Sequence, residues 1–267
     1  MNVKILLMFL IVSTLLTTLI LTTSFSKVYG YEQGPKKQYA KDNNSYKGNE
    51  NYKKDKPVVY LPNEKIAALG DNWWKWAYSI NTENDINPFS EFNQEGCNAG
   101  LQESGKFLFL IGSTDLPEIN CDINQKVKIL FPILNVLCNS LDSPPFFGSN
   151  EEEQRECSEE IMDESFDLEL KINGYPVADP EKYRLGSPEG GLDFTAAENN
   201  PFLTPSGDGT GVSDGFWILL QLPKGDHKIS FKGSVDLSDL FGQDFIFTAG
   251  ATYNLNVIGD GNNNKYY

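Results

Sequence analysis

Asn63 to Ile80 reads NEKIAALGDNWWKWAYSI, and its spacing predicts a helix. Pro62 and Asn63 form a start signal, with Asn63 as N-cap and Glu64 in the acidic first turn. At 100° per residue, Ile66, Leu69, Gly70, Trp73, Trp76, Ala77 and Ile80 share one face about 120° wide. Trp74 and Tyr78 are i,i+4 neighbours on the flank of that face. Three of the four tryptophans of the chain lie within four residues here, and each ring can bury roughly 150–250 Å². Gly70 on the same face costs about 1 kcal/mol against Ala in a helix, so its presence there implies close backbone approach to a sheet. A helix of this kind needs a wide apolar surface to lie on, and the rest of the chain has to supply it.

The segments that follow read as strands. Lys106 to Ile111 (KFLFLI) is a short apolar run of the buried-strand type. Val127 to Leu137 (VKILFPILNVL) is interrupted by Pro132, which predicts two short strands with a bend or bulge at Phe131-Pro132. Phe166 to Ile172 alternates apolar and charged residues, and Asn173-Gly174 after it is a type I′ hairpin signal. Leu192 to Thr195 is a short strand candidate in a stretch rich in Pro and Gly. Phe216 to Leu222 (FWILLQL), His227 to Phe231, Phe245 to Phe247 and Ala251 to Ile258 complete the set. Ala251, Tyr253, Leu255 and Val257 share one face of the last strand. Many short strands with turn signals and one helix predict a mainly β, two-layer sandwich carrying a packed Trp-rich helix.

Before the helix the chain has a different character. Residues 1–30 start with Lys4, continue in a largely apolar run from Ile5 to Leu21, and offer Val28-Tyr29-Gly30 as a cleavage site. They read as a signal peptide, or as an uncleaved N-terminal membrane anchor, and both place the rest of the protein outside the cytoplasm. Residues 31–57 are Lys-, Asn- and Tyr-rich without hydrophobic periodicity, which predicts a disordered spacer. Asn43-Asn44-Ser45 in it is a glycosylation sequon. Residues 58–258 form the expected folded domain, and 259–267 a flexible polar tail.

Four cysteines, Cys97, Cys121, Cys138 and Cys157, lie in the domain. An even count in an exported chain points to disulfides, while the absence of any CxxC pair and the single histidine argue against a zinc site. Of the three pairings, Cys97–Cys121 with Cys138–Cys157 is favoured because sequential neighbours close short loops. Each would stabilise by roughly 3 kcal/mol.

The formal charge is −15, and the lysines of residues 31–57 leave the acidic excess on the domain. That balance opposes nucleic-acid binding, as does the lack of GxGxxG and P-loop spacings. Catalytic signatures are missing as well. His227 is the single imidazole, no GxSxG elbow occurs, and the many acidic residues specify no particular pair. No catalytic residue and no cofactor is therefore assigned. Two candidate sites remain. Trp74 and Tyr78, off the predicted core face, offer a platform for a sugar or a peptide, with core packing as the other reading of the tryptophan cluster. Asp208 and Asp214 sit in SGDGTGVSDG (206–215), a Gly-rich stretch read as a loop where carboxylates and carbonyls suit calcium. Glu151 to Glu164 reads as a short exposed acidic helix tied down by Cys157, without EF-hand spacing.

Several pieces together resemble a family of exported prokaryotic proteins that has no established activity. They are WWKWA (Trp73–Ala77), Asn87-Pro88 ahead of Cys97, and LFPILN (Leu130–Asn135) with Cys138 behind it. Further on come NGYPV (Asn173–Val177), Tyr183-Arg184 with Ser187-Pro188, and DGFWILLQLPKGDHKISFKGS (Asp214–Ser234). The resemblance runs from about Asn72 to Ile258 and implies a secreted, disulfide-linked single domain. Sequence thus predicts an exported, non-catalytic binding or structural module of the cell surface, with a cell-envelope polymer or protein as partner and membrane contact only through the N-terminal segment. A secreted carbohydrate-active protein, lectin-like or a two-carboxylate hydrolase, and a calcium-stabilised adhesion domain are the alternatives.

Overall fold

The computed structural model of the chain describes residues 56–102 and 104–259. The expectations for the export segment, the sequon, most of the spacer and most of the tail lie outside the described residues. Two mixed sheets pack face to face, and strand outweighs helix, as the sequence patterning requires.

The six-stranded sheet contains β1 (Val58–Val59), β2 (Phe107–Phe109), β4 (Lys128–Asn139), β7 (Arg184–Gly186), β8 (Leu192–Ala196) and β9 (Gly207–Gln221). Its axis is β9. One side of β9 pairs with β4, and the other is lined end to end by β8, β7 and β1. The five-stranded sheet runs β3 (Glu118–Asn124), β11 (Ile246–Ile258), β10 (Gly225–Asp236), β5 (Ser165–Ile172) and β6 (Tyr175–Pro176). Pairing is antiparallel except between β2 and β4 and between β3 and β11.

The core between the sheets comes from the inward halves of alternating strands. Ile129, Phe131 and Ile133 of β4 and Phe216, Ile218 and Leu220 of β9 meet Ile229 and Phe231 of β10 and Tyr253, Leu255 and Val257 of β11. Phe131 stacks on Phe231 at 4.6 Å. Each such side chain contributes about 1.5–3 kcal/mol on burial.

The outer face of the six-stranded sheet is covered by α1 (Glu64–Ser79). Asn63 caps it as its sequence implied, its side chain accepting from the Lys65 and Ile66 amides. Trp73 donates through Nε1 to the Leu110 carbonyl at 2.9 Å, tying helix to sheet. At Gly70 the two approach closely: a Cβ there would lie 2.7 Å from the Trp217 ring. None of the helices among the described residues is long and apolar enough to cross a membrane.

Both disulfides form in the favoured pairing, Cys97–Cys121 and Cys138–Cys157. The first fixes α2 (Gln94–Ala99) against the edge strand β3. The second fixes α3 (Glu151–Asp163), the acidic helix, against β4. They indicate an oxidising compartment for the folded domain.

Four local expectations are corrected. Lys128 to Asn139 is one strand, not two. Pro132, which has no N–H to give, is accommodated by a slip in the pairing with β9 between Pro132 and Asn135. The stretch 206–215 is not a loop, since Gly207 onward is the first half of β9. Its small residues serve close packing there: a Cβ on Gly215 would meet the Asn135 Cβ at 2.6 Å. The last two strands are the single strand β11. Lastly, the buried face of α1 is rotated toward Trp74 and Tyr78, which are 7% and 2% exposed, while Leu69 and Trp76 are only half-buried.

Candidate binding face

The proposed ring platform is buried. Residues 197–205 fold over the flank of α1 and bring Phe202 to 5.4 Å from the Trp74 ring and 4.8 Å from the Tyr78 ring. Phe194 of β8 lies 4.6 Å from Tyr78 on another side. The Tyr78 hydroxyl joins an internal network in which the Asn139 amide donates to it at 3.3 Å and to Asp142 at 2.6 Å. Burial beside Asp142 drives the Tyr78 pKa well above its ordinary value. Periodicity placed these rings off the core because it counts one helix against one sheet and omits a loop that returns over the flank.

Asp208 and Asp214 are likewise not brought together. Six residues along one strand put them about 20 Å apart. Asp208 accepts from the exposed Thr195 hydroxyl at 2.7 Å. Asp214 is buried and accepts from Arg184 Nε at 2.9 Å and Nη2 at 2.7 Å. Its carboxyl is pushed up by burial and pulled back by that guanidinium. Among the described residues, no three His, Cys, Asp or Glu side chains gather as metal ligands.

A second buried polar cluster joins α1 to the sheet. Ser187 and Ser213 both donate to Asp71 Oδ1, at 2.6 and 3.1 Å. Burial raises the Asp71 pKa, and the two hydroxyls partly offset it. His227 is held by a turn. Its Nε2 lies 2.9 Å from the Pro223 carbonyl oxygen, which can only accept, so Nε2 carries the proton and Nδ1 accepts from Asn173 at 3.1 Å.

The open polar surface is the outer face of the five-stranded sheet. In β10 the inward residues are Ile229 and Phe231, so Asp226, Lys228 and Ser230 face outward. In β11 the outward set is Thr252, Asn254 and Asn256, and in β3 it is Glu118, Asn120 and Asp122. Pairing puts these in rows across the strands. Asp122, Asn256 and Asp226 make one row, and Asn120, Asn254 and Lys228 the next. The rows floor an open trough of about 840 Å³, bounded by Gln94 on one side and the Asn173-Gly174 turn on the other. That turn has φ of 53° and 80° at its two central residues, the I′ geometry its sequence predicted.

The floor is ordered before any ligand arrives. Asn254 Nδ2 donates to Glu118 Oε1 at 2.9 Å and to Asn120 Oδ1 at 3.0 Å. Asn256 Nδ2 donates to Asp122 Oδ1 at 2.9 Å, and Lys228 Nζ to Glu118 at 3.0 Å. These donors hold the Glu118 pKa below its ordinary value, the Asn254 amide first and Lys228 second. At the β3 edge, Gln94 acts as a substitute strand: its Oε1 accepts from the Asp122 N–H at 2.6 Å. Gln94 also donates through Nε2 to the Asp122 carbonyl at 3.3 Å, so the edge is occupied at Asp122.

None of these residues was singled out from the sequence. The signal was present in EINCDIN and TYNLNV, where Asn and Asp alternate with buried residues. The apolar half of such an alternation identifies a core, and the polar half becomes a surface only when β3 and β11 are known to be neighbours. No family model, no curated protein and no solved structure matches this chain.

Proposed function

We propose that the protein is an exported, non-catalytic binding module of the cell surface or extracellular space, and that it holds a hydroxyl-rich polymer, a glycan of the cell envelope, on the outer face of its five-stranded sheet. The observation that carries this reading is the trough itself. Amides and carboxylates in cross-strand register present hydrogen-bonding groups at fixed spacing, held by bonds among themselves, so little side-chain entropy is lost on binding. Sugar hydroxyls both donate and accept, and match such a surface. Two strand spacings separate the Asp122 and Asp226 backbones by about 10 Å. Export through residues 1–30 agrees with the two disulfides.

The test is a binding screen of the purified protein against soluble glycans and envelope polysaccharide, with the Asn254→Ala/Asn256→Ala variant alongside. Binding by the native protein and a loss of about tenfold or more in the variant, about 1.4 kcal/mol, is the expected result. A glycan bound equally well by both proteins would refute the assignment to this face.

A further inference from the structure

The hydrogen bonds within the trough fix the orientation of its amides, and that orientation selects the ligand. Carboxylates only accept. Asn254 therefore turns its Nδ2 toward Glu118, and Asn256 turns its Nδ2 toward Asp122. The atom of Asn120 that meets Asn254 Nδ2 must then be its Oδ1. The donors of both β11 amides are thus directed along the sheet. Among the described residues, the side-chain atoms of the trough's amides and carboxylates left without a protein partner are Oδ1 of Asn254, Oδ1 of Asn256, the second oxygens of Asp122 and Glu118, both oxygens of Asp226, and Nδ2 of Asn120. All but Asn120 Nδ2 are acceptors, and the other donor group of the floor, the Lys228 ammonium, is already drawn to Glu118.

Charge points the same way. Lys228 is engaged by Glu118 at 3.0 Å, and among the described residues neither Asp122 nor Asp226 has a basic partner. Both are exposed, at the two ends of one row. A ligand bearing phosphate, sulfate or uronic acid would meet acceptors and negative charge, and the acidic excess of the whole chain adds to the repulsion. A neutral sugar leaves the two carboxylates unneutralised. An ammonium group on a sugar ring supplies both the missing donors and the missing charge.

Resting on the sheet-face reading above, we infer that the trough selects glycans carrying free amino groups, of the polyglucosamine type. The test is calorimetric titration of the purified protein with a β-linked glucosamine hexasaccharide and with its fully N-acetylated counterpart, at low and high salt. The same titrations are run on Asp122→Asn/Asp226→Asn, with circular dichroism to verify the fold, and spermine serves as a non-sugar polyamine. The expected result is affinity for the amine form higher by about tenfold at low salt, a gap that narrows as salt screens it, and loss of the gap in the double variant. Equal affinities for the two hexasaccharides would overturn the inference while leaving the sheet-face reading in place. Binding of neither, or an undiminished preference in the double variant, would overturn it as well. Spermine bound as tightly as the amino sugar would reduce the face to a charge trap and remove the glycan from the inference.

Discussion

The two outer faces of the sandwich are built from opposite materials. Over the six-stranded sheet lie Trp73, Trp74, Tyr78, Phe89 and Phe202 in ring-to-ring contact, with Trp73 edge-on to Trp217 and Phe202, from residues 197–205, covering Trp74 and Tyr78. Over the outer face of β3, β10 and the adjoining half of β11, no described residue packs as a cover, and the rows there are Asn, Asp, Glu, Lys, Ser and Thr. The difference teaches where to look for function in a chain without a catalytic constellation. The aromatic cluster draws attention in the sequence, yet its rings are committed to holding a helix on a sheet. The face free to meet a partner is made of residues that look ordinary in one dimension.

The sharpest way to break this contrast is to empty the aromatic side. Trp217 is 1% exposed and its ring lies against Gly70 of the helix. Trp217→Ala is expected to cost about 3–5 kcal/mol, measured by urea unfolding. A cost below 1 kcal/mol would mean that the cluster is not what holds α1. Gly70→Ala is the next probe. The helix gains about 1 kcal/mol of intrinsic propensity, but the new Cβ is driven into Trp217. Overpacking typically costs about 1–3 kcal/mol, so the net effect is expected to be destabilising. A rise in Tm would show that helix and sheet separate more easily than their contact implies.

Asp71 tests the polar anchor on the same side. Its folded pKa is raised by burial above the ordinary 3.8. For a group shifted in this direction, its favourable contribution is fully present below the unfolded pKa and is lost as pH rises through the folded one. Asn at this position retains an oxygen for both serine hydroxyls and carries no charge. Asp71→Asn is therefore expected to gain on the native protein as pH increases from below 3.8 toward neutrality. A Tm difference independent of pH would contradict that. The smallest effect on stability is expected on the other face. Asn254→Ala/Asn256→Ala removes exposed or half-exposed side chains and should change unfolding by no more than about 0.5 kcal/mol per site, while it weakens binding. Loss of fold in this variant would make the polar rows part of the scaffold.

Legibility differed from element to element for physical reasons. The N-cap at Asn63, the hairpin at Asn173-Gly174, the acidic helix and the inward face of β11 rest on contacts between near neighbours in the chain, and all formed as read. The bulge expected at Pro132 is present, but the strand break read there and the loop read from the glycines at 207 were misleading. Their local preferences for breaks and turns are outweighed by pairing with strands that are far away in sequence, Lys128–Asn139 with Gly207–Gln221. The exposure assigned to Trp74 and Tyr78 failed for a similar reason, because Phe202 that covers them is more than a hundred residues downstream.

By itself the sequence determined a mainly β sandwich with a capped tryptophan helix and four cysteines in a domain read as oxidised, with one of three pairings favoured, because periodicity, capping and short loop closure are local properties; the structure decided the pairing. Tertiary structure alone decided which aromatic rings are buried, that Asp208 and Asp214 stay apart, and that Asn120, Asp122, Asn254 and Asn256 share one floor. A site on a sheet face is made by strands adjacent in space, and β3 and β11 are joined across the whole intervening chain by backbone hydrogen bonds that no local pattern encodes.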